Sequence, residues 1–480
     1  MTAPDGIDPQ DLQHALRVLA DAQSLSPQHP DSIALQRATA ALFKAAKDRR
    51  RAERRAAVKA NDDAVTAATA TAAPDRIDDE TEGLPLASRA GNGSAGRLIK
   101  ARACYVCKER FHEVDAFYHQ LCPSCAAFNH ERRDQHTDLR GRRALLTGGR
   151  AKIGMHIALR LLRDGADLTI TTRFPRDAAR RFAQLADSEE WLTRLHVVGV
   201  DLRDPAQVVA LADEVAARGP LDVLINNAAQ TVKRRPQAYA LVAAGEREPL
   251  PGGPLPEIVQ LGRSPDADAQ TSRPAISTPH WSPTPDVVAS MALTAGSASL
   301  ERIAAGRAVD AGGLIPDLDD TNSWIDAVDQ VDPIEMLEVQ LCNATAPFIL
   351  IGRLRATLAA STARRTYVVN VSAMEGQFAR GYKGPGHPHT NMAKAALNML
   401  TRTSAQEMFQ TDGILMTAVD TGWITDERPH PTKARLAEAG FHAPLDLVDG
   451  AARVYDPIVR GEAGEDLFGV FLKDYRVADW

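Results

Sequence analysis

Cysteine is scarce. The 480-residue chain has five, and four of them fall between Cys104 and Cys125. A disulfide framework of the kind that holds small secreted domains together is therefore not expected. Excess positive charge is also missing: the formal net charge is −6, which gives no general attraction to nucleic acid or to an anionic membrane. No apolar run comes near the roughly 20 residues that cross a bilayer as a helix. The stretch from Met1 to Pro9 is acidic and has no apolar core, so it does not read as a secretory signal. A cytoplasmic location follows as the default expectation, with neither a membrane nor nucleic acid as partner. The hydrophobic content of 44% is ordinary for a soluble protein, and the length leaves room for several domains.

What is present begins with helix. Residues 1–60 read as a helical arm. Leu12, Leu16 and Leu19 mark one apolar face, and Ile33, Leu35, Leu42 and Phe43 mark a second after the break at Pro27 and Pro30. The basic run from Lys47 to Arg55 reads as a solvated helix end. The arm's leucines need cover, which a homo-oligomer would supply. Residues 61–98, rich in Ala, Thr, Asp and Gly, read as a flexible linker. Residues 99–137 hold Cys104-Tyr105-Val106-Cys107 and, after a gap of fourteen residues, Cys122-Pro123-Ser124-Cys125. Two such knuckles suit a tetrahedral structural zinc, because four thiolates close the coordination sphere and leave no catalytic position. Phe111, Phe117 and Tyr118 lie between the knuckles and can form a small core. His112, His119 or His130 could replace one ligand.

The most informative stretch runs from Leu145 through Thr147, Gly148, Gly149, Arg150, Ala151, Lys152 and Ile153 to Gly154. A strand over Arg142 to Leu146 meets a glycine turn. Ile153, Ile157, Leu161 and Leu162 then recur at helical spacing. Strand, glycine turn and helix together present backbone N–H groups to a diphosphate. A second strand ends at Thr171-Thr172-Arg173, without the acid that would hold the ribose hydroxyls of NAD. Arg173 fits a 2′-phosphate instead, and Arg150 and Lys152 add positive charge, so NADP(H) is the expected cofactor. Further strands read at Val197 to Val200, ending in Asp201-Leu202, at Leu221 to Ile225, ending in Asn226-Asn227-Ala228-Ala229, and at Thr366 to Val371, ending in Ser372. Strands alternating with helix-length segments imply an α/β fold with a doubly wound parallel sheet, which places ligands at the strands' C-terminal ends.

These residues, with Asn343 and Lys394, resemble the pattern of the short-chain dehydrogenase/reductase superfamily. The resemblance covers about 138–480, with an insertion at about 231–322 that is rich in Pro, Ala and Ser. It implies cofactor contacts from Thr147, Gly148, Arg150, Lys152, Ile153, Gly154, Arg173, Asp201, Leu202, Asn227, Ala228, Lys394, Gly422 and Thr425. It also implies a catalytic Asn-Ser-Tyr-Lys set, here Asn343, Ser372 and Lys394, with the tyrosine four residues before the lysine. That position is Thr390. An aliphatic hydroxyl is a far weaker acid than a phenol, which titrates near 10, so Thr390 needs help. His389, which titrates near neutrality, and Tyr382 are the groups that could give it, and His387 is a further candidate. The family's second glycine falls on Lys152, whose side chain would either contact a phosphate or cover the diphosphate site.

The leading expectation is an NADP(H)-dependent oxidoreductase acting on a small carbonyl or alcohol. Lys394 would bind the nicotinamide ribose, Ser372 the substrate oxygen and Asn343 a relay water. The alternative is a nucleotide-binding scaffold or sensor that recruits a partner. The insertion leaves from the ligand edge of the sheet, so a lid or partner-binding role is expected of it. Arg428, His430, Lys433 and Arg435 in the segment after Thr425 would suit an anionic substrate.

Overall fold

The first helix starts because Asp8 caps it. Its carboxylate accepts from the N–H groups of Gln10 and Asp11, and Pro9 occupies a position that has no amide to satisfy. The computed structural model describes residues 6–74, 76, 86, 90–91, 93–234, 236–261, 310–315, 319–425 and 427–480. Helices α1 (Pro9–Asp21) and α2 (Pro30–Ala67) belong to one compact unit, Met1–Val65 with Arg97–Lys100. Leu12, Leu16, Leu42 and Phe43 are exposed there.

The second unit comprises Thr66–Gly96 and Ala101–Trp480. Strand β1 (Ser94–Ala103) pairs with β2 (Arg110–Asp115), and α3 (Pro123–Arg133) follows. The linker expected over 61–98 is shorter than its composition suggests. Helix α2 runs on to Ala67, Thr69, Ala70, Thr71 and Ala72 are buried, and β1 already begins at Ser94. Small residues permit this close packing: the Ala70 and Thr71 N–H groups donate to the Ala116 and Phe117 carbonyls. Arg76 donates to the carbonyls of Ala443 and Leu445, at 3.0 and 2.9 Å. The middle of the expected linker lies outside the described residues.

The α/β region alternates as the spacing predicts. In order come β3 (Arg143–Leu146), α4 (Lys152–Arg163), β4 (Asp167–Thr172), α5 (Pro175–Ala183), β5 (Leu195–Gly199), α6 (Pro205–Ala217) and β6 (Val223–Asn226). After them come α7 (Ala240–Gly245), β7 (Glu257–Gln260), α8 (Pro333–Gln340), α9 (Ala346–Ala359), β8 (Thr366–Ser372), α10 (Pro388–Asp412) and β9 (Ile414–Asp420). The chain closes with α11 (His430–Glu438), α12 (Leu447–Glu462), β10 (Phe471–Lys473) and β11 (Arg476–Ala478). The sheet order is β11-β10-β9-β8-β6-β3-β4-β5-β7, parallel throughout except for the β10–β11 pair. Every residue of β8 and of β9 is buried, because helices cover both faces of such a sheet. The order reverses between β3 and β6, and the crevice there is where this fold takes a ligand.

Two features depart from expectation. The described part of the insertion is structured: β7 joins the sheet edge beside β5, while residues 262–309 lie outside the described residues. The stretch Pro333–Ala359, α8 and α9 joined by a π-turn, is long and apolar enough to cross a membrane by length and composition, although no unbroken apolar run marks it. Its most apolar window is half buried, and α9 packs against α6 and α8 against α10, as a core helix does.

Candidate active site and cysteine cluster

The glycine turn after β3 is sterically dictated. Gly148 has φ +71°, and a Cβ there would sit 2.9 Å from Ala228 Cα. A Cβ on Gly154 would lie 1.9 Å from the Gly148 carbonyl oxygen. No side chain fits either place. Thr147 and Asn227 brace the turn from beneath. The Thr147 hydroxyl accepts from the Asn227 and Ala228 N–H groups, and Asn227 Nδ2 donates to the Thr147 and Gly148 carbonyls at 3.1 Å. Lys152 opens α4 with φ +53°, the left-handed backbone that glycine adopts without strain. Lys152, Ile153 and Gly154, at the start of α4, line the crevice.

A cavity of about 810 Å³ lies over this turn. Every residue expected to contact the cofactor lines it except Thr147. The cations at the glycine-turn end already have internal partners. Arg150 Nη1 is 2.5 Å from Asp177 and lies over the Phe174 ring. Arg173 stacks on Tyr239 and Phe174, at 5.1 and 5.6 Å from the ring centroids, and donates to the Tyr239 hydroxyl. Lys152 Nζ is 3.3 Å from Asp310. Asp310 comes from the insertion, and its other oxygen accepts from the Gly312 and Leu314 N–H groups. Burial pushes its carboxyl up, but the Lys152 charge and the Leu314 N–H hold it below the usual range. Glu427, facing Lys152, Arg234 and Lys433, is held low in the same way against burial. Burial also pushes Asp201 up, and the Arg203 guanidinium, gripping the carboxylate from two residues on, pulls it down.

At the other end of the cavity Ser372, Tyr382, His387, Asn391 and Lys394 form the wall. Lys394 Nζ donates to the Val371 carbonyl at 2.8 Å, and burial lowers its ammonium to about 8. The Ser372 hydroxyl donates to Asn398 Oδ1 at 2.6 Å, and Asn398 is fixed in turn by donating to the Gly376 carbonyl. Tyr382 is 75% exposed. His387 stacks on Trp324 with ring centroids 4.0 Å apart, and its Nδ1 lies 2.8 Å from the Trp324 carbonyl oxygen.

Three expected catalytic residues do not reach the wall. Thr390 is 2% exposed, and its hydroxyl has no partner among the described residues. It shares a helical face with Lys394, but its short side chain ends where a phenol would continue. His389 is buried, and neither ring nitrogen has a partner among the described residues. Burial, then the neighbouring His387, lowers its pKa, so it is neutral at pH 7. Asn343 sits in the π-turn Leu341–Thr345. It clamps Gln230, accepting from its N–H at 2.7 Å and donating to its carbonyl at 2.9 Å. It therefore holds the chain after β6.

The four cysteine Sγ atoms lie within 4.8 Å of one another, with Cys107 and Cys122 3.6 Å apart. A zinc ion bound at about 2.3 Å to each sulfur needs sulfurs about 3.8 Å apart, so the cluster is compatible with a zinc module. His119 and His130 are engaged elsewhere, with the Thr71 hydroxyl at 2.7 Å and Asp115 at 3.2 Å. Three contributors to the site were not found from sequence. Asn398 was findable, being one helical turn beyond Lys394. Asp310 and Glu427 carried no local signal.

A parallel sheet in this order, with a glycine turn beneath a cavity at the strands' C-terminal ends, defines a Rossmann-type α/β protein. Residues 142–243, which include the glycine turn and strands β3 to β6, match the family model described as short chain dehydrogenase. An uncharacterized protein of Acanthamoeba polyphaga mimivirus is 29% identical over 368 residues, covering 74% of this chain and 71% of that protein. A probable oxidoreductase of Streptomyces lividans is 41% identical over 91 residues, 19% of this chain and 29% of that protein. Among solved structures, the NADPH-bound carbonyl reductase from chicken fatty liver aligns at 19% identity and a TM-score of 0.42. That alignment covers 71% of this chain and 100% of the reductase.

Proposed function

We propose that the protein is an NADP(H)-dependent oxidoreductase acting on a small carbonyl or alcohol. The observation that carries this reading is one cavity with two chemically distinct ends. At one end are the glycine turn, Arg150, Lys152 and Arg173, with no acid after β4. At the other are Ser372 and Lys394. The nucleotide fits this donor set: the turn excludes side chains where a diphosphate must approach, and the cations supply charge for phosphates. When bound, the cofactor supplies a hydride. Lys394 holds the proton at Nζ, where burial brings its pKa near the working range. The Ser372 hydroxyl orients the substrate oxygen, after turning from Asn398. Tyr382 walls the mouth. Thr390 and His389 take no proton step in this scheme, and Asn343 positions Gln230.

Calorimetric titration with NADPH, and with NADH alongside, tests the reading. Tight NADPH binding with weak NADH binding is expected, and no binding of either would sink it. The second reading, a nucleotide-binding scaffold without turnover, is favoured by the buried Thr390 hydroxyl, which has no partner among the described residues. In that case Lys394→Ala changes no activity, and Thr390→Tyr creates carbonyl reduction in a silent protein. For the cysteine cluster we infer a structural zinc, held by Cys104, Cys107, Cys122 and Cys125. Elemental analysis of protein purified without chelator should find about one zinc per chain.

A further inference from the structure

One of the two residues between the first two cysteines reaches into the nucleotide cavity's frame. Tyr105 hangs from a short loop that the knuckle itself makes: the Cys104 N–H donates to the Glu109 carbonyl, the Lys108 N–H to the Cys104 carbonyl, and the Tyr105 N–H to the Gln120 carbonyl. From there its hydroxyl accepts the Trp423 backbone N–H at 2.9 Å. It also lies 3.6 Å from where a Cβ on Gly422 would be. Gly422 has φ +78°, and its N–H donates to Asp420 Oδ1 at 2.9 Å. The segment from Gly422 to Thr425 lines the cavity and is thus pinned from two sides, by Asp420 within the sheet and by Tyr105 from the cysteine module.

Apolar packing follows the same route. Tyr118, Leu121 and Ala126 of the module share one buried cluster with Ile424 and Leu445, and Ile153 and Leu447 pack against it. Ile153, Ile424 and Leu447 also line the cavity. Ile153 is the residue after Lys152 in the glycine turn. The docking is polar as well as apolar: the Tyr118 hydroxyl donates to Asp449 at 2.6 Å, and Arg133 donates to Asp446 at 2.6 Å.

We propose that Tyr105 is a positioning residue for the nucleotide cavity, so that the integrity of the four-cysteine module sets how firmly Gly422–Thr425 is held and how tightly the nucleotide binds. The nucleotide part rests on the function proposed above; the coupling of the module to Gly422–Thr425 does not. Removing the hydroxyl leaves a half-buried backbone N–H without its acceptor, a loss that weakens a segment by an amount readable in exchange and in affinity. The aromatic ring and the four cysteines stay in place, so the module keeps its fold.

The experiment uses full-length protein in its purified, metal-containing state and compares wild type with Tyr105→Phe and Tyr118→Phe. Tyr118→Phe cuts a hydrogen bond of the same module to Asp449 and keeps the ring that packs in the cluster with Ile424. Amide hydrogen exchange over residues 421–425 and the calorimetric Kd for NADPH are measured, with metal content by elemental analysis. Tyr105→Phe is expected to keep its metal, to speed exchange at Trp423, and to weaken NADPH binding about five- to tenfold, with kcat at saturation unchanged. Tyr118→Phe should also keep its metal, and should change neither the exchange at Trp423 nor the NADPH affinity. Stripping the metal from wild type with a chelator should reproduce the faster exchange, which gives a reading even where the variant is poorly produced. Unchanged exchange in both Tyr105→Phe and stripped wild type overturns the proposal, as does an equal effect from Tyr118→Phe. Faster exchange in a protein that binds no NADPH upholds the coupling and removes the proposed function instead.

Discussion

The two halves of the sheet use one framework in opposite ways. In the half built from β3, α4, β4, β5 and β6, the residues expected to meet a nucleotide line the cavity, yet their charges are already matched from within: Arg150 by Asp177, Lys152 by Asp310 and Asp201 by Arg203. In the half built from β8, α10 and β9, Ser372 and Lys394 reach the wall, while Thr390, His389 and Asn343 lie behind it. The difference separates two kinds of constraint. A glycine turn is fixed by sterics, since a Cβ at Gly154 would meet a carbonyl oxygen at 1.9 Å, and little can substitute for it. A proton-transfer role is fixed by reach and pKa, and a neighbouring side chain can assume it.

The comparison breaks most sharply at Lys394. Lys394→Ala should lower turnover by about 10² to 10⁴-fold while changing NADPH affinity far less; steady-state kinetics beside calorimetry would show it. A variant with near-normal kcat would mean that the second half does no chemistry. In the first half, Arg173→Ala should weaken NADPH binding by roughly ten- to a hundredfold, as loss of a charge-assisted contact does, and leave NADH binding nearly unchanged. Equal losses for both nucleotides would place Arg173 in the packing against Tyr239 and Phe174 rather than on a 2′-phosphate.

The pH dependence sharpens the same contrast. Burial disfavours the charged form of Lys394, so its ammonium persists only below about pH 8. Carbonyl reduction consumes that proton, so log kcat/KM should fall with a slope of about −1 as pH rises through 8. A profile flat to pH 9.5 would move the proton to another group, with the exposed Tyr382 first in line. The smallest expected effect is at the insertion. Asp310→Asn frees Lys152 from a partly exposed ion pair and should tighten NADPH binding about two- to fivefold. Weaker binding would instead mark Asp310 as a support for the Gly312–Leu314 turn.

Much of the fold was legible in advance, because its causes are local. Buried strands ending in Asp201, Asn226 and Ser372 stood out as apolar runs capped by polar residues, and all three ends lie at the crevice edge of one sheet. The paired cysteine knuckles carried their geometry in their spacing, and the sulfurs converge. The linker was misjudged because a composition rich in Ala and Thr reads the same whether it is solvated or, as at Thr69 to Ala72, packed into small gaps. Strand β7 was missed because a short edge strand inside a Pro-rich insertion has no periodicity to show.

The sequence by itself determined where the backbone turns, since glycine, proline and hydrophobic period act over a few residues. It determined the parallel order of the sheet through the alternation of strand and helix, and the paired cysteine knuckles through their spacing. Only the tertiary structure decided which of the residues so placed face the cavity. Thr390 and Lys394 lie one helical turn apart on the same face, and their difference in reach depends on side-chain length against a wall built by distant segments. Tertiary structure also brought Asp310 to Lys152 and Tyr105 to Trp423, pairs separated by more than a hundred residues. Such meetings arise from packing and electrostatics across the assembled fold, which no local pattern encodes.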